Sequence, residues 1–166
     1  MNSATQYLAA LLVTSIATFL LGAFVILRDP KRTLNRVFGL YSWSISIWSV
    51  GQGLHSVAPD VQHSLWWAYF SHYGVVFIPT FFLHFVISFL RFEPKHRRRI
   101  LIPCYGLSLF FAGVNGTPLY IAGVAPKFSL KYYIEPGFFY PFSVAFFFVC
   151  IAYGLTLLFR AYTRAS

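Results

Sequence analysis

Residues 7–27 read YLAALLVTSIATFLLGAFVIL, an apolar run without a single charge, and residues 28–36 that follow read RDPKRTLNR. A bilayer core about 30 Å thick is crossed by about 20 such residues in a helix, whereas an isolated strand would leave its backbone groups unpaired in hydrocarbon. No Lys or Arg precedes the run. A cleaved signal peptide has a basic start, a shorter apolar stretch and a small-residue cleavage site, so the run reads as a retained anchor. The abrupt change to Arg28, Lys31, Arg32 and Arg36 places its far end in the cytoplasm and its N-terminus outside.

The rest of the sequence has the same character. Of 166 residues, 58% are apolar and only 10% charged, where soluble domains carry about a quarter charged. So few charges, grouped between apolar runs, cannot cover a water-exposed surface, and a soluble globular domain is excluded together with disordered and disulfide-scaffold classes. Cys104 and Cys150 lie within apolar runs and read as small buried hydrophobes. The net charge of +9 does not indicate nucleic-acid binding. Its members fall on alternate connections: the first group above, then Arg91, Lys95, Arg97, Arg98 and Arg99, then Arg160 and Arg164, with only Lys127 and Lys131 elsewhere. That separation is the positive-inside pattern of a membrane protein.

The predicted fold is an all-α polytopic membrane bundle of five transmembrane helices, with the N-terminus outside and the C-terminus cytoplasmic. The spans are expected at about 7–27, 37–57, 65–90, 98–115 and 138–159, forming one transmembrane domain over residues 1–166. Ala58 to Ser64 is a short outer connection. The fourth span is short, because Asn115, Gly116 and Pro118 interrupt it, and it is expected to start near Arg97 with arginine stems reaching the headgroups. Residues 116–137 form the long external loop. Within it, Leu119 to Val124 and Phe128 to Ile134 carry enough β-branched and aromatic residues for two short strands, with Ala125-Pro126 as the turn. Lys127 and Lys131 give this loop an approach face for anions.

Polar side chains inside a span face protein or water, because an unpaired polar group is costly in hydrocarbon. In the second span Ser42, Ser46, Ser49, Gly53 and Ser56 share one stripe, and Trp48, Gln52 and His55 a neighbouring one. Small and hydroxyl residues are the ordinary interface of membrane helices; the functional reading is a polar pocket. The third span aligns Tyr73, Phe77, Thr80, His84 and Ser88 on one face, and Pro79 bends it by removing a backbone donor near Val75. His72 is expected to approach His55 from the same outer side. Trp48, Gln52, His55, His72, Tyr73, Pro79 and His84 are therefore the candidate ligand-binding or signal-relay residues.

No metal, catalytic group or cofactor is expected. His72 and His84 stand about 18 Å apart along one helix and cannot ligate one iron, and His55 and His72 differ in depth by about 7 Å. There is no H-E-x-x-H and no G-x-S-x-G, and the four carboxylates Asp29, Asp60, Glu93 and Glu135 all fall in loops.

The stretch Asn35-Arg36-Val37-Phe38-Gly39-Leu40 leading to Ile47-Trp48-Ser49, the pair Trp66-Trp67, and Phe77-Ile78-Pro79-Thr80-Phe81-Phe82-Leu83-His84-Phe85 resemble the seven-span N-terminal sensory region found ahead of bacterial sensor histidine kinases and, at times, diguanylate cyclases. The resemblance implies a sensory input module of the bacterial inner membrane, and a cytoplasmic kinase or cyclase output domain as partner, fused or separate. A homodimer in the bilayer is compatible with it. Two spans and the output domain of that region are missing from this sequence, which is read either as a fragment of a longer gene product or as a natural short relative that acts through a separate partner. His96, followed by Arg97-Arg98-Arg99, does not resemble a phosphoacceptor histidine, so no kinase activity is expected of the chain itself. Alternative readings are a small transporter or carrier subunit and a haem-binding membrane subunit.

Overall fold

The computed structural model describes residues 3–127 and 130–165. Six helices and one hairpin follow one another: α1 (Ser3–Arg28), α2 (Thr33–Ser56), α3 (Val61–Val75), α4 (Ile78–Phe89), α5 (Pro94–Val114), β1 (Ile121–Lys127), β2 (Leu130–Pro136) and α6 (Tyr140–Ala165). The all-α expectation is corrected by the hairpin, a two-stranded antiparallel sheet.

α2 is the hub of the bundle and packs against α1, α3 and α4. Its contact with α1 centres on a reciprocal pair. The Ser15 hydroxyl lies 3.1 Å from the Ser46 carbonyl, the Ser46 hydroxyl donates to the Ser15 carbonyl at 2.9 Å, and the two hydroxyl oxygens are 2.9 Å apart. Against α3 the approach is closer still. A Cβ on Gly51 would stand 2.7 Å from that of Ser71, and one on Gly74 would collide with the Ser44 carbonyl and come within 2.8 Å of the Trp48 nitrogen. Small residues at these crossings let backbones touch, which is how helices associate where lipid offers no hydrophobic driving force. The predicted stripe is accordingly buried at Ser42, Ser46, Ser49 and Gly53, with Ser56 at its half-buried end.

Large apolar side chains remain exposed along α1 and α6, including Ile16, Phe24, Leu27, Phe148 and Phe159, as a lipid-facing wall requires. Among the described residues, three stretches are long and apolar enough to cross a membrane: Thr5–Arg28, Val61–Phe89 and Tyr140–Arg164. α2, at 24 residues or about 36 Å, has the length but carries serines on its buried side. α5, at 21 residues or about 31 Å, begins with a strongly basic turn. Neither meets the apolarity of the other three.

Where a single third span over 65–90 is predicted, the chain forms two helices that break at Val76 and Phe77, with Pro79 in the first turn of α4. The break separates the expected face. Tyr73 is exposed, whereas Thr80 is fully buried and Phe77, His84 and Ser88 are half-buried. The fourth helix starts earlier than its expected bound, at Pro94, whose missing N–H costs nothing in a first turn.

Ala125 and Pro126 are not a turn; they lie inside β1. The pairing runs Val124 with Ile134, Ala125 with Tyr133 and Lys127 with Leu130, so the register shifts across Pro126, as expected for a residue with no N–H to give to the ladder. The second strand lies later than predicted. The expected start at Phe128 and the connection itself lie outside the described residues. Tyr120 and Ile121 at the root of β1 are completely buried and pack with Ala68, Val76 and Phe111. A second cluster, Leu83, Ile87, Leu101 and Cys150, fills the opposite end of the bundle, with Cys104 against it, in keeping with both cysteines as packing residues.

Candidate functional site

The hairpin closes over the end of the bundle where α2 stops and α3 begins. Lys131 donates from Nζ to the Pro59 carbonyl at 2.9 Å in the connection between these helices. Lys127 and Lys131 stand over the rings of Tyr133 and Tyr132, at 5.0 and 4.9 Å from the centroids.

Beneath the hairpin lies a cavity of about 630 Å³. Trp48, Gln52 and His55 of α2 line it at i, i+4 and i+7, and His72 of α3 faces them across it; Lys127, Tyr133 and Tyr140 complete the wall toward the hairpin and α6. Four of the seven candidates thus meet in one space. No carboxylate stands among its described lining residues.

The two histidines are oriented by backbone carbonyls. His55, with 3% of its surface exposed, holds Nδ1 at 3.0 Å from both the carbonyl and the hydroxyl of Ser64. His72 holds Nδ1 at 2.8 Å from the Ala68 carbonyl. A carbonyl only accepts, so each Nδ1 carries the hydrogen and in the neutral ring Nε2 is left as the acceptor.

His72 also belongs to an aromatic triangle. Its ring meets Tyr120 edge-on with centroids 5.8 Å apart and Tyr140 at 5.7 Å, and the two tyrosine rings are themselves 5.7 Å apart. The Tyr120 hydroxyl donates to the Ser143 hydroxyl at 2.9 Å, and Ser143 donates onward to the Tyr140 carbonyl at 2.7 Å. Burial pushes the Tyr120 phenol up to about 12. On the far side of this triangle a smaller cavity of about 140 Å³ is lined by Pro79, Val76 and Phe111 and shares His72, Val75 and Tyr140 with the larger one. His72, Val75 and Tyr140 therefore stand between the cavity beneath the hairpin and the helix break.

At the break, the Ser108 hydroxyl of α5 donates to the Val76 carbonyl at 2.7 Å. With that proton committed, Thr80 is the donor in the 2.8 Å contact between the Thr80 and Ser108 hydroxyls, and the Cys104 carbonyl lies 3.3 Å from Thr80 Oγ1 as a second acceptor. The Val76 carbonyl left exposed at the break is met from a neighbouring helix, as irregular backbone inside a membrane protein requires.

Three candidates do not join the cavity. Tyr73 is 46% exposed and points away. Pro79 lines only the smaller space. His84 lies toward the opposite end, with Nδ1 at 2.8 Å from the Tyr105 hydroxyl, in a groove that also contains Arg97. The residues missed by sequence reasoning are Tyr120, Tyr140 and Ser108. Tyr120 was visible only as one tyrosine in a long loop, and nothing in the helical periodicity reports that this loop folds back onto α3.

No curated protein and no solved structure matches the chain. A family model described as the N-terminal 7TM region of histidine kinase matches residues 10–166. It covers α2, the broken α3–α4 pair and the hairpin, and thus every residue of the site described above. The chain belongs to this family of membrane sensory regions of histidine kinases.

Proposed function

We propose that residues 1–166 form one membrane-embedded sensory domain that crosses the bacterial inner membrane five times, with the N-terminus outside and the C-terminus in the cytoplasm. The cavity under the hairpin receives the stimulus molecule, and a cytoplasmic kinase or cyclase output domain, fused or separate, reads the result. The domain is not itself catalytic. A homodimer in the bilayer is the natural assembly for such an output.

The single observation that carries this reading is the convergence of Trp48, Gln52, His55 and His72 on one cavity of about 630 Å³. Polar side chains within apolar helices are costly unless they face protein or water, and here they face a half-open space beneath the hairpin. Its chemistry defines the ligand class. Aromatic walls, two Nε2 acceptors, an amide and the Lys127 ammonium, with no carboxylate, suit a small neutral or anionic molecule with a flat apolar part.

The relay runs from His72 through the α3–α4 break into α4, against which α6 packs. Gly154 of α6 sits so close to the Phe82 ring that a Cβ there would approach within 2.6 Å, so a change in α4 is felt by the helix that leads to the output. A ligand shifts such a pair of arrangements only by its unequal affinity for them, typically about 1–3 kcal/mol of coupling.

Fusion of the C-terminus to a dimer-dependent kinase core in proteoliposomes tests the route. Gln52→Leu, His55→Leu and Pro79→Ala are each expected to change the autophosphorylation rate. Wild-type output in all three would remove the route, and thiol labelling that places both chain ends in one compartment would remove the topology.

A further inference from the structure

At the end of the bundle opposite the hairpin, three arginines converge from three different segments. Arg32 precedes α2, Arg91 follows α4, and Arg97 lies in the first turns of α5; together they line a crevice of about 370 Å³. No carboxylate lines it, and among the described residues no arginine forms an ion pair with a carboxylate. Guanidinium groups cannot shed their charge by deprotonation, so three of them around one space repel one another until an anion occupies it.

The crevice has the other parts of an anion site. The Ser88 hydroxyl oxygen is buried without a hydrogen-bond partner, and Ser88 lines the crevice. Thr33 and Leu34 bring the first turn of the 24-residue α2 to its wall, and no side chain caps that turn. Leu34 and Phe89 supply an apolar side.

Arg91 occupies an unusual position. The end of α4 is closed by the Phe92 N–H donating to the Ile87 carbonyl at 3.2 Å and the Arg91 N–H donating to the Ser88 carbonyl at 3.3 Å. This is the Schellman arrangement, in which the residue at Arg91 takes a left-handed conformation and is ordinarily glycine. Arg91 has φ of 55°. The backbone accepts a side chain where glycine would be relaxed, and that side chain is one of the three guanidiniums.

We propose that this crevice binds the phosphodiester headgroup of an anionic phospholipid, held by Arg32, Arg91 and Arg97 with the Ser88 hydroxyl as a further donor. Guanidinium forks match phosphate oxygens in pairs, and basic pockets between membrane helices are suited to lipid headgroups. The apolar side favours a lipid over a free ion, since it faces the glycerol and first methylenes. Occupancy ties the connection before α2 to the connection between α4 and α5, and so fixes the end of the bundle from which the signal leaves. The proposal depends on the membrane placement of the bundle and is independent of the outer cavity.

The test uses the whole chain in phosphatidylcholine nanodiscs with spin-labelled phosphatidylglycerol as the probe. The wild-type chain is expected to prefer phosphatidylglycerol to phosphatidylcholine, and Arg91→Gly and Arg97→Gln are each expected to reduce that preference about fivefold. In pure phosphatidylcholine, Arg91→Gly should melt at the same or a higher temperature, because it relieves the left-handed residue; this separates binding from folding. Absence of a preference in the wild-type chain, or an undiminished preference in both variants, overturns the proposal. An equal reduction in Arg160→Gln, which does not line the crevice, marks generic surface attraction and overturns the site. Inorganic phosphate that stabilises the chain as much as phosphatidylglycerol does overturns the lipid as its source.

Discussion

Ser108 and Val76 are joined by a 2.7 Å hydrogen bond from the serine hydroxyl to the main-chain carbonyl, and this bond spans from α5 to the break between α3 and α4. The break has one cause in the sequence, since Pro79 cannot donate to the Val75 carbonyl, and at the break the Phe77 N–H turns back to the Gly74 carbonyl at 3.1 Å. Ser108, with Thr80 donating to it at 2.8 Å, fixes which way the two halves bend.

Ser108→Ala should therefore loosen the break without emptying the bundle of a core side chain. Interhelical hydrogen bonds in membrane bundles are worth about 0.6 kcal/mol on average and about 1.7 at most, and a loss in that range is expected in unfolding assays. Thr80→Val should cost less in the Ser108→Ala background than in the wild-type chain, because the two hydroxyls form one network. Additive losses would show that they act separately.

The α2–α3 crossing gives a sharper contrast. Gly74→Ala places a methyl group against the Ser44 carbonyl and the Trp48 nitrogen, and overpacking of this kind costs about 1–3 kcal/mol. Gly106→Ala and Gly113→Ala in α5 meet nothing within 4 Å and should be neutral or stabilising by up to about 1 kcal/mol, the helix preference for alanine over glycine. Thermal melts of the three variants in one lipid composition rank them; a stable Gly74→Ala chain would mean the backbones do not touch.

Tyr120 couples stability to alkaline pH. Its phenol is raised from 10.0 to about 12, chiefly by burial, so the folded state holds the proton more tightly than the unfolded one. Its contribution is complete below pH 10.0 and disappears as pH rises toward about 12. Difference absorbance of phenolate should show a late step whose amplitude falls by one tyrosine in Tyr120→Phe, which also loses the bond to Ser143 at a cost of about 1 kcal/mol.

Asp60 couples the start of α3 to acid. Its carboxylate accepts from the His63 backbone N–H at 2.9 Å and contacts His63 Nδ1 at 2.8 Å, and these bonds, the backbone one foremost, hold its pKa below the usual 3.8. A depressed carboxylate stabilises the fold above the ordinary value, and the contribution fades as pH falls through the lowered one. Protection of the His63 amide, taken relative to its intrinsic exchange rate, should fall below pH 3.8 in the wild-type chain. Asp60→Asn should remove that pH dependence; an unchanged acid profile in the variant would assign the effect to another group.

Much of this protein was legible along the chain. Uncharged runs such as 7–27 can only be helices in hydrocarbon, the spacing of Ser42, Ser46, Ser49 and Gly53 marks a buried helix face, and Pro79 announces a discontinuity. Those features depend on local periodicity and on the cost of exposing polar groups, which act within a few residues. The spacing Trp48, Gln52, His55 likewise put three site residues on one stripe.

What faces that stripe was decided only in three dimensions. The hairpin register turns on a shift at Pro126, the loop folds back so that Tyr120 packs on His72, and Ser108 meets Val76 from 32 positions away. Contacts of this kind depend on how far α2 and α3 can approach and at what angle, a consequence of glycines on facing surfaces. The split of the third span follows the same logic: proline removes one helical donor, which the sequence shows, but the Val76 carbonyl left at the break takes its donor from Ser108 of another helix, which only the packing supplies.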